Sequence, residues 1–462
     1  MALHGVDDQR YLEATEPMKY VSLLIALAGI FPLSLLMRSA PVIQKYAWTA
    51  VGILPFLIQA VHIDIGLISW GNKWFGYVYG IEISIIDLIV AALFIISKKP
   101  KDGINYHFPF ILYFIAILIS FQQADEPMAS AFYLFQYAKV YFLIIVVARA
   151  SVDEAVSAEL LKGMALGLVI QIFVISWQRW GQHMIQPTGT FIHQNTLGLA
   201  AHFVVFPHMM LLLAGLRRLQ FALIPVTGML IAALIASRAA LGFIVLGLVV
   251  CMSISFLRRW TSHKAKIALI CILGAVAMAP VAATSFQARF EATPLDEAEY
   301  NERAAFNRAA LMILNDRPMG VGANHYVNEA KNAGYSIRAG VIPFEGNLNN
   351  IVHNAYLLAA AETGYFGMVS FVLILLMPFY TAFRYGWLAR QSRVGDLLLG
   401  CGIAILIVGL HSFLEYIFFG KGVQYLFGIT AGIIFGSAAK VRSMRRVRDS
   451  EPFRGKALRT LG

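Results

Sequence analysis

Apolar runs recur along almost the whole chain, near residues 20–37, 42–61, 78–97, 105–122, 130–149, 161–180, 196–215, 219–236, 239–257, 266–283, 354–378, 396–418 and 423–439. A helix crossing a hydrocarbon layer of roughly 30 Å needs about 20 apolar residues, whereas a membrane β-barrel alternates apolar and polar positions in segments of roughly ten. The runs are continuous rather than alternating. They predict an all-α polytopic membrane protein with about 12–13 transmembrane helices. The stretch Val61–Gly80, with Trp70, Trp74, Tyr77 and Tyr79, reads as an interfacial or re-entrant piece that leaves the smaller number open.

One polar interval, Thr284–His353, breaks this pattern and ends where the next apolar run begins. Inside it, Ala305, Ala309, Met312 and Ile313 recur at helical spacing across Ala298–Asp316, and Asp316-Arg317-Pro318 stops that helix. The chain therefore divides into an N-terminal bundle (1–283), a large and partly helical loop (284–353), C-terminal transmembrane helices (354–440) and a basic tail (441–462).

Basic residues fix the expected orientation. Lys98-Lys99-Pro100-Lys101, Arg217-Arg218, Arg258-Arg259 with Lys264 and Lys266, Arg384 through Arg393, and the tail from Lys440 to Arg459 with Arg442, Arg445, Arg446 and Arg448 fall on alternate connections. The positive-inside rule assigns these to the cytoplasm, and the loop Thr284–His353 to the opposite side. The same distribution explains the net charge of +11 without nucleic acid as a partner, because the cations sit at helix ends beside anionic lipid.

Composition agrees with the pattern: 59% of 462 residues are hydrophobic and 14% charged, with a mean hydropathy of +0.68. The three cysteines, Cys251, Cys271 and Cys401, lie in apolar runs without metal-ligand spacing and read as packing residues. Gly163 with Gly167, and Gly428, Gly432 and Gly436, read as close-approach positions between helices. No cleavable signal, phosphate-binding glycine loop, zinc motif or serine elbow is visible, so neither a cofactor nor a metal is expected.

Candidate chemistry gathers at the boundaries on the side of the long loop. Arg238, after one apolar helix and before the next, is either a snorkelling anchor or a clamp for an anion. Arg303 in the loop helix is either a solvated charge or a ligand, with Arg308 weighed beside it. His353-Asn354 opens a helix carrying Glu362 and Gly364; its imidazole is either an interfacial residue or a general base. In His193-Gln194-Asn195, the asparagine is either the cap of the following helix or part of an oxygen-binding cradle. Three ionisable groups fall within apolar runs: Asp87, read as structural and close to the basic inner loop; His411; and Glu415, expected to pair with Lys421 or with an arginine.

Taken in order, Gly189-Thr190-Phe191 with His193-Gln194-Asn195, then Ser237-Arg238, then Arg303 ahead of Pro318-Met319-Gly320-Val321-Gly322, then His353-Asn354 with Glu362 and Gly364, the chain resembles the bacterial O-antigen ligase and Wzy-type polysaccharide polymerase superfamily over roughly Gly189–Gly367. The resemblance implies a GT-C-like bundle in the bacterial inner membrane and metal-independent glycosyl transfer on the periplasmic side. The implied donor is an undecaprenyl-diphosphate-linked oligosaccharide. The acceptor would be a lipid-linked glycan or lipid A-core, and chain-length regulators or export proteins are implied partners beside membrane lipids. It further implies that Arg238 and Arg303 hold the diphosphate and that His353 activates the acceptor hydroxyl, with His193, Asn195, Arg308, Asn354 and Glu362 in support. The chain departs from the family over its first hundred residues and at Asn307, where a tryptophan is often found, which keeps Arg308 in view alongside Arg303.

Within the superfamily His193-Gln194-Asn195 looks more like the exopolysaccharide polymerases, so polymerisation of an O-antigen or exopolysaccharide repeat is the expected activity, with ligation to lipid A-core or protein as the alternative. A transporter of lipid-linked sugars is the rival from another class. Transporters place ionisable groups near the midplane in broken helices, whereas the candidates here lie at one face.

Overall fold

The computed structural model describes residues 5–61, 64–71, 74–100, 103–292 and 297–457. Lys101, residues 293–296 of the polar interval and Arg459 of the tail lie outside the described residues.

The helices are α1 (Gly5–Ser39), α2 (Pro41–Ile53), α3 (Ile58–Val61), α4 (Ile85–Ile96), α5 (His107–Ser120), α6 (Pro127–Ala150), α7 (Glu154–Ser176), α8 (Gln194–Leu213), α9 (Leu219–Leu234), α10 (Arg238–Arg258) and α11 (Ser262–Ala292). Four shorter or polar helices follow, α12 (Glu297–Asp316), α13 (Tyr326–Asn332), α14 (Tyr335–Arg338) and α15 (Glu345–Leu348), and then α16 (Ala355–Leu388), α17 (Arg393–His411) and α18 (Lys421–Ala457). Among the described residues nine helices are long and apolar enough to cross a membrane, and three shorter apolar helices, at 85–96, 107–123 and 219–234, accompany them. The chain is an all-α polytopic membrane protein with a small sheet added.

That sheet is the first departure from the sequence reading. Strand β1 (Asp64–Ser69) pairs antiparallel with β2 (Gly80–Ser84), Asp64 opposite Ser84 and Ser69 opposite Gly80. Ile81 and Ile83 alternate with Glu82, a period of two that merges in sequence with the apolar run of α4 and so was read as one span from 78 to 97. Ser84 ends the strand and starts the helix through a capping box with Asp87. The run 42–61 is likewise interrupted, at a 3-10 turn over Leu54–Phe56 that contains Pro55, and α11 continues past residue 283 to Ala292.

Helix α8 is the centre of the bundle. Nearly every residue from Gln194 to Leu213 is buried, as expected for a helix apolar on all sides, and it packs against α9, α10, α17 and α18. Close approach elsewhere depends on glycine: a Cβ on Gly436 of α18 would lie 2.6 Å from the Ala148 carbonyl oxygen of α6.

The polar interval is stitched down rather than free. Val321 N–H donates to Ala361 O at 3.0 Å and Gly322 N–H to Glu362 O at 2.9 Å. The Asn324 amide donates to Val78 O at 2.7 Å and Ala129 O at 3.1 Å, joining the interval to the segment ahead of β2 and to α6. Buried Ala305, Ala309 and Ile313 seat α12, which packs on α16.

Candidate functional site

Asn354 caps α16, accepting the N–H groups of Tyr356 and Leu357 at 3.0 and 3.1 Å. This cap ends the approach of the polar interval and holds His353 one residue outside the helix. Ala355 N–H donates to Ser412 O at 2.9 Å, and Tyr356 Oη–H to Gly409 O at 2.8 Å. The start of α16 is thereby fastened to the end of α17, and the turn after α17 delivers Glu415 to His353.

His353 Nδ1 lies 3.2 Å from Glu415 Oε2. The other carboxylate oxygen, Oε1, accepts the Asn195 side-chain amide at 2.5 Å and lies 3.7 Å from the Arg303 guanidinium. Four parts of the chain thus meet at one carboxylate: the start of α8, α12, the residue ahead of the α16 cap and the turn after α17. Glu415 is 2% exposed and Arg303 41%, so the charge at the floor is buried while its arginine reaches outward. Burial alone would raise the Glu415 pKa, but the hydrogen bond from His353 and the charges of His353 and Arg303 outweigh it and hold the carboxyl below its ordinary value.

The imidazole of His353 has two aromatic neighbours, with centroids 6.1 Å from Phe306 and 5.5 Å from Tyr416. With Nδ1–H donating to the carboxylate, Nε2 carries the lone pair, the tautomer a base needs. Tyr416 also lines a cavity of about 620 Å³, together with Gln59, Tyr79, Glu82, His193 and Lys421. Within that lining Lys421 pairs with Asp64 at 2.5 Å and with Glu82.

Arg238 lies at the same end of the bundle. Its helix begins beside α8, where Gly198 meets Ala240, and its exposed guanidinium stands 5.8 Å over the Phe290 ring of α11. Arg308 points elsewhere, donating to Ala339 O at 3.1 and 2.9 Å within the polar interval. Glu362 is also separate from the His353 cluster: it accepts Tyr77 Oη–H at 2.5 Å and Tyr326 N–H at 3.1 Å, tying the interval and the hairpin connection to α16.

The structure corrects two sequence readings, for Asn195 and Asp87, and resolves a third, for Glu415. Asn195 does not cap α8; His193 does, accepting Asn195 N–H at 3.2 Å, which frees the Asn195 amide for Glu415. Of the two partners expected for Glu415, the arginine is found, Arg303, and Lys421 is not, being held by Asp64 and Glu82. Asp87 lies at the end of α4 away from Lys98, paired with Lys139 at 2.8 Å. His411, buried in α17, meets His202 of α8 at 3.1 Å. Among the described residues no group of three His, Cys, Asp or Glu side chains is placed to hold a metal.

Glu415 is the residue that sequence reasoning placed without its role. The available signal was a lone carboxylate in the apolar stretch between Leu397 and Ala439, a position that is costly unless its charge is used.

No curated protein matches the chain. The family model described as O-antigen ligase matches residues 222–372, an interval that holds Arg238, Arg303 and His353 but neither Asn195 nor Glu415. Over that interval the chain is similar to the O-antigen ligase family, a match that supports the O-antigen ligase and Wzy-type polymerase superfamily and, at family level, glycosyl transfer of that type.

Proposed function

We propose that the protein transfers a glycan from an undecaprenyl-diphosphate-linked oligosaccharide on the periplasmic side of the inner membrane, and that it polymerises the repeat units of a surface polysaccharide. The observation that carries this reading is the His353–Glu415–Arg303 cluster, which sets a base and a cation beside one buried carboxylate.

The acceptor hydroxyl enters the cavity bordered by Tyr416 and attacks the anomeric carbon of the donor. As the new C–O bond forms, the bond from that carbon to the phosphate oxygen breaks, and undecaprenyl diphosphate leaves with the electron pair. The hydroxyl proton passes to Nε2 of His353, whose positive charge Glu415 then stabilises. A positioned base contributes about 10²–10⁴-fold. Arg303 and Arg238 meet the charge that grows on the departing diphosphate, using the forked donors that suit phosphate oxygens. The lipid tail keeps the donor in the bilayer while its head group reaches the helix ends that carry these residues.

The decisive experiment supplies purified protein in proteoliposomes with a lipid-linked oligosaccharide. Elongated glycan and released carrier diphosphate are expected; movement of donor between leaflets without new glycosidic bonds would identify a transporter instead. Ligation is the second reading, favoured by the description of the matched family. A deletion strain separates the two: single repeat units attached normally indicate a missing polymerase, and long chains left on the carrier indicate a missing ligase.

A further inference from the structure

At the end of the bundle opposite His353, the turns between α8 and α9, α10 and α11, and α16 and α17 enclose a cavity of about 840 Å³. Arg217, Arg258, Arg259, Lys264 and Arg390 line it with His263, against the single carboxylate of Asp396. The positive-inside rule accounts for cations on these turns, but it does not require them to converge on a concavity.

Their arrangement has a floor and a rim. Arg258 is 3% exposed and pairs with Asp396, which neutralises one charge. Its Nε–H has no acceptor among the described residues. Buried Lys264 donates to the carbonyls of Ser255 and Arg259 at 2.7 and 2.9 Å, partners that satisfy its donors without cancelling its charge. Around this floor stand the exposed guanidiniums of Arg217, Arg259 and Arg390.

Depth is marked by Trp260, which is 68% exposed and follows Arg259, beside Leu257 at 77%. An exposed tryptophan at the end of a transmembrane helix lies at headgroup level, with the apolar side chains before it in the acyl region. The cavity therefore opens where phospholipid phosphates lie.

We propose that this basic cavity binds a phosphate-bearing anion, supplied by the headgroup of an anionic phospholipid in the adjoining leaflet. The three rim arginines and Lys264 exceed what one phosphodiester needs, so a headgroup with two phosphates, as in cardiolipin, is held better than one with a single phosphate. Basic pockets between transmembrane helices on the cytoplasmic side provide this recognition through charge and forked hydrogen bonds.

The test uses the full-length protein in detergent, titrated with mixed micelles containing cardiolipin, phosphatidylglycerol or phosphatidylcholine, and separately with inorganic phosphate. Lipid retained on the protein is counted by native mass spectrometry and thermal unfolding is followed in parallel. Cardiolipin is expected to be retained and to raise the Tm most, and phosphatidylcholine least. Replacing Arg217, Arg259 and Arg390 together by Gln should weaken retention by about fivefold for each cation removed. These side chains are exposed, so the variant should keep the Tm of the parent in phosphatidylcholine. A control that removes Arg38, Lys98 and Lys99 takes the same charge from the same end outside the cavity, and should leave retention unchanged. Equal losses in both variants, or equal retention of cardiolipin and phosphatidylcholine, would overturn the site. Stabilisation by phosphate alone, abolished in the cavity variant, would uphold the anion site and reassign its source to a soluble ligand.

Discussion

Glu415 and His353 are 62 residues apart in the chain, yet the carboxylate lies 3.2 Å from imidazole Nδ1. The two are brought together because α16 starts where α17 ends, with the Ala355 N–H bound to the Ser412 carbonyl. If His353 is the base, His353→Ala should lower kcat by about 10²–10⁴-fold while the protein remains folded. Glu415→Gln keeps a hydrogen-bond acceptor but removes the charge that stabilises the imidazolium. A fall in kcat of about 10–100-fold with little change in donor KM is expected. Product formation from lipid-linked oligosaccharide measures both, and a Glu415→Gln enzyme with unchanged kcat would remove the carboxylate from the mechanism.

Arg303 and Arg308 share one helix but not one task. Five residues at 3.6 per turn separate their side chains by about 140° around the axis. Arg303 accordingly faces Glu415, and Arg308 faces the Ala339 carbonyl. Arg303→Lys retains the charge and loses the fork, so kcat/KM should drop about 10–100-fold. Arg308→Ala should leave kcat/KM within a few-fold and instead cost about 1–2 kcal/mol in stability through the lost bonds to Ala339. Kinetics and thermal unfolding on the two variants separate these outcomes; the reverse pattern would transfer the phosphate role to Arg308.

The same pair shows what a sequence can and cannot reveal here. Helix α10 was legible almost to its ends, read as 239–257 and found as Arg238–Arg258, because an apolar run of bilayer length has few other solutions. The hairpin was not legible, since Ile81 and Ile83 continue without a break into the apolar start of α4, and a short alternating run has the same composition as a helix end. At the site, Arg238 stood out because charge at a membrane boundary is costly, His353 because an imidazole exchanges a proton near neutral pH, and Arg303 only through the family resemblance. Composition weighed Arg303 and Arg308 equally, however, and only the direction each takes from α12 tells them apart. Asn195 presented itself as a cap by residue type, and its contact with Glu415 required knowing that His193 already caps α8.

The lowered pKa of Glu415 sets an expected response to acid. Between its folded and unfolded values this carboxyl binds fewer protons in the folded state, so its contribution to stability is present above the unfolded pKa and is lost as pH falls through the folded one. At neutral pH the contribution is complete. The Tm difference between the parent protein and Glu415→Gln should therefore not shrink between neutral pH and about 4, and should be lost only in stronger acid. A difference that already vanishes near neutral pH would mean that His353 and Arg303 do not hold the carboxylate charged.

Gly364 connects the bundle to the segment that follows α12. It sits inside α16 with φ 70° and ψ −175°, a conformation open almost exclusively to glycine. The kink it produces lets Tyr365 N–H reach Pro318 O at 3.3 Å, while Val321 and Gly322 donate to the carbonyls of Ala361 and Glu362 just ahead of it. A Cβ at this position would lie 2.5 Å from Pro318 O. Gly364→Ala therefore combines a disfavoured backbone with a steric clash, and should cost about 2–4 kcal/mol. Because the strain falls on the segment that follows α12, the helix bearing Arg303, activity should fall with the Tm rather than independently of it. Gly274→Ala, in α11 with no atom within 4 Å of the added Cβ, is the matched control and should change neither. Thermal unfolding and turnover measured on both variants decide the matter: a Gly364→Ala protein with the parent Tm would show that the kink is not required to seat this segment.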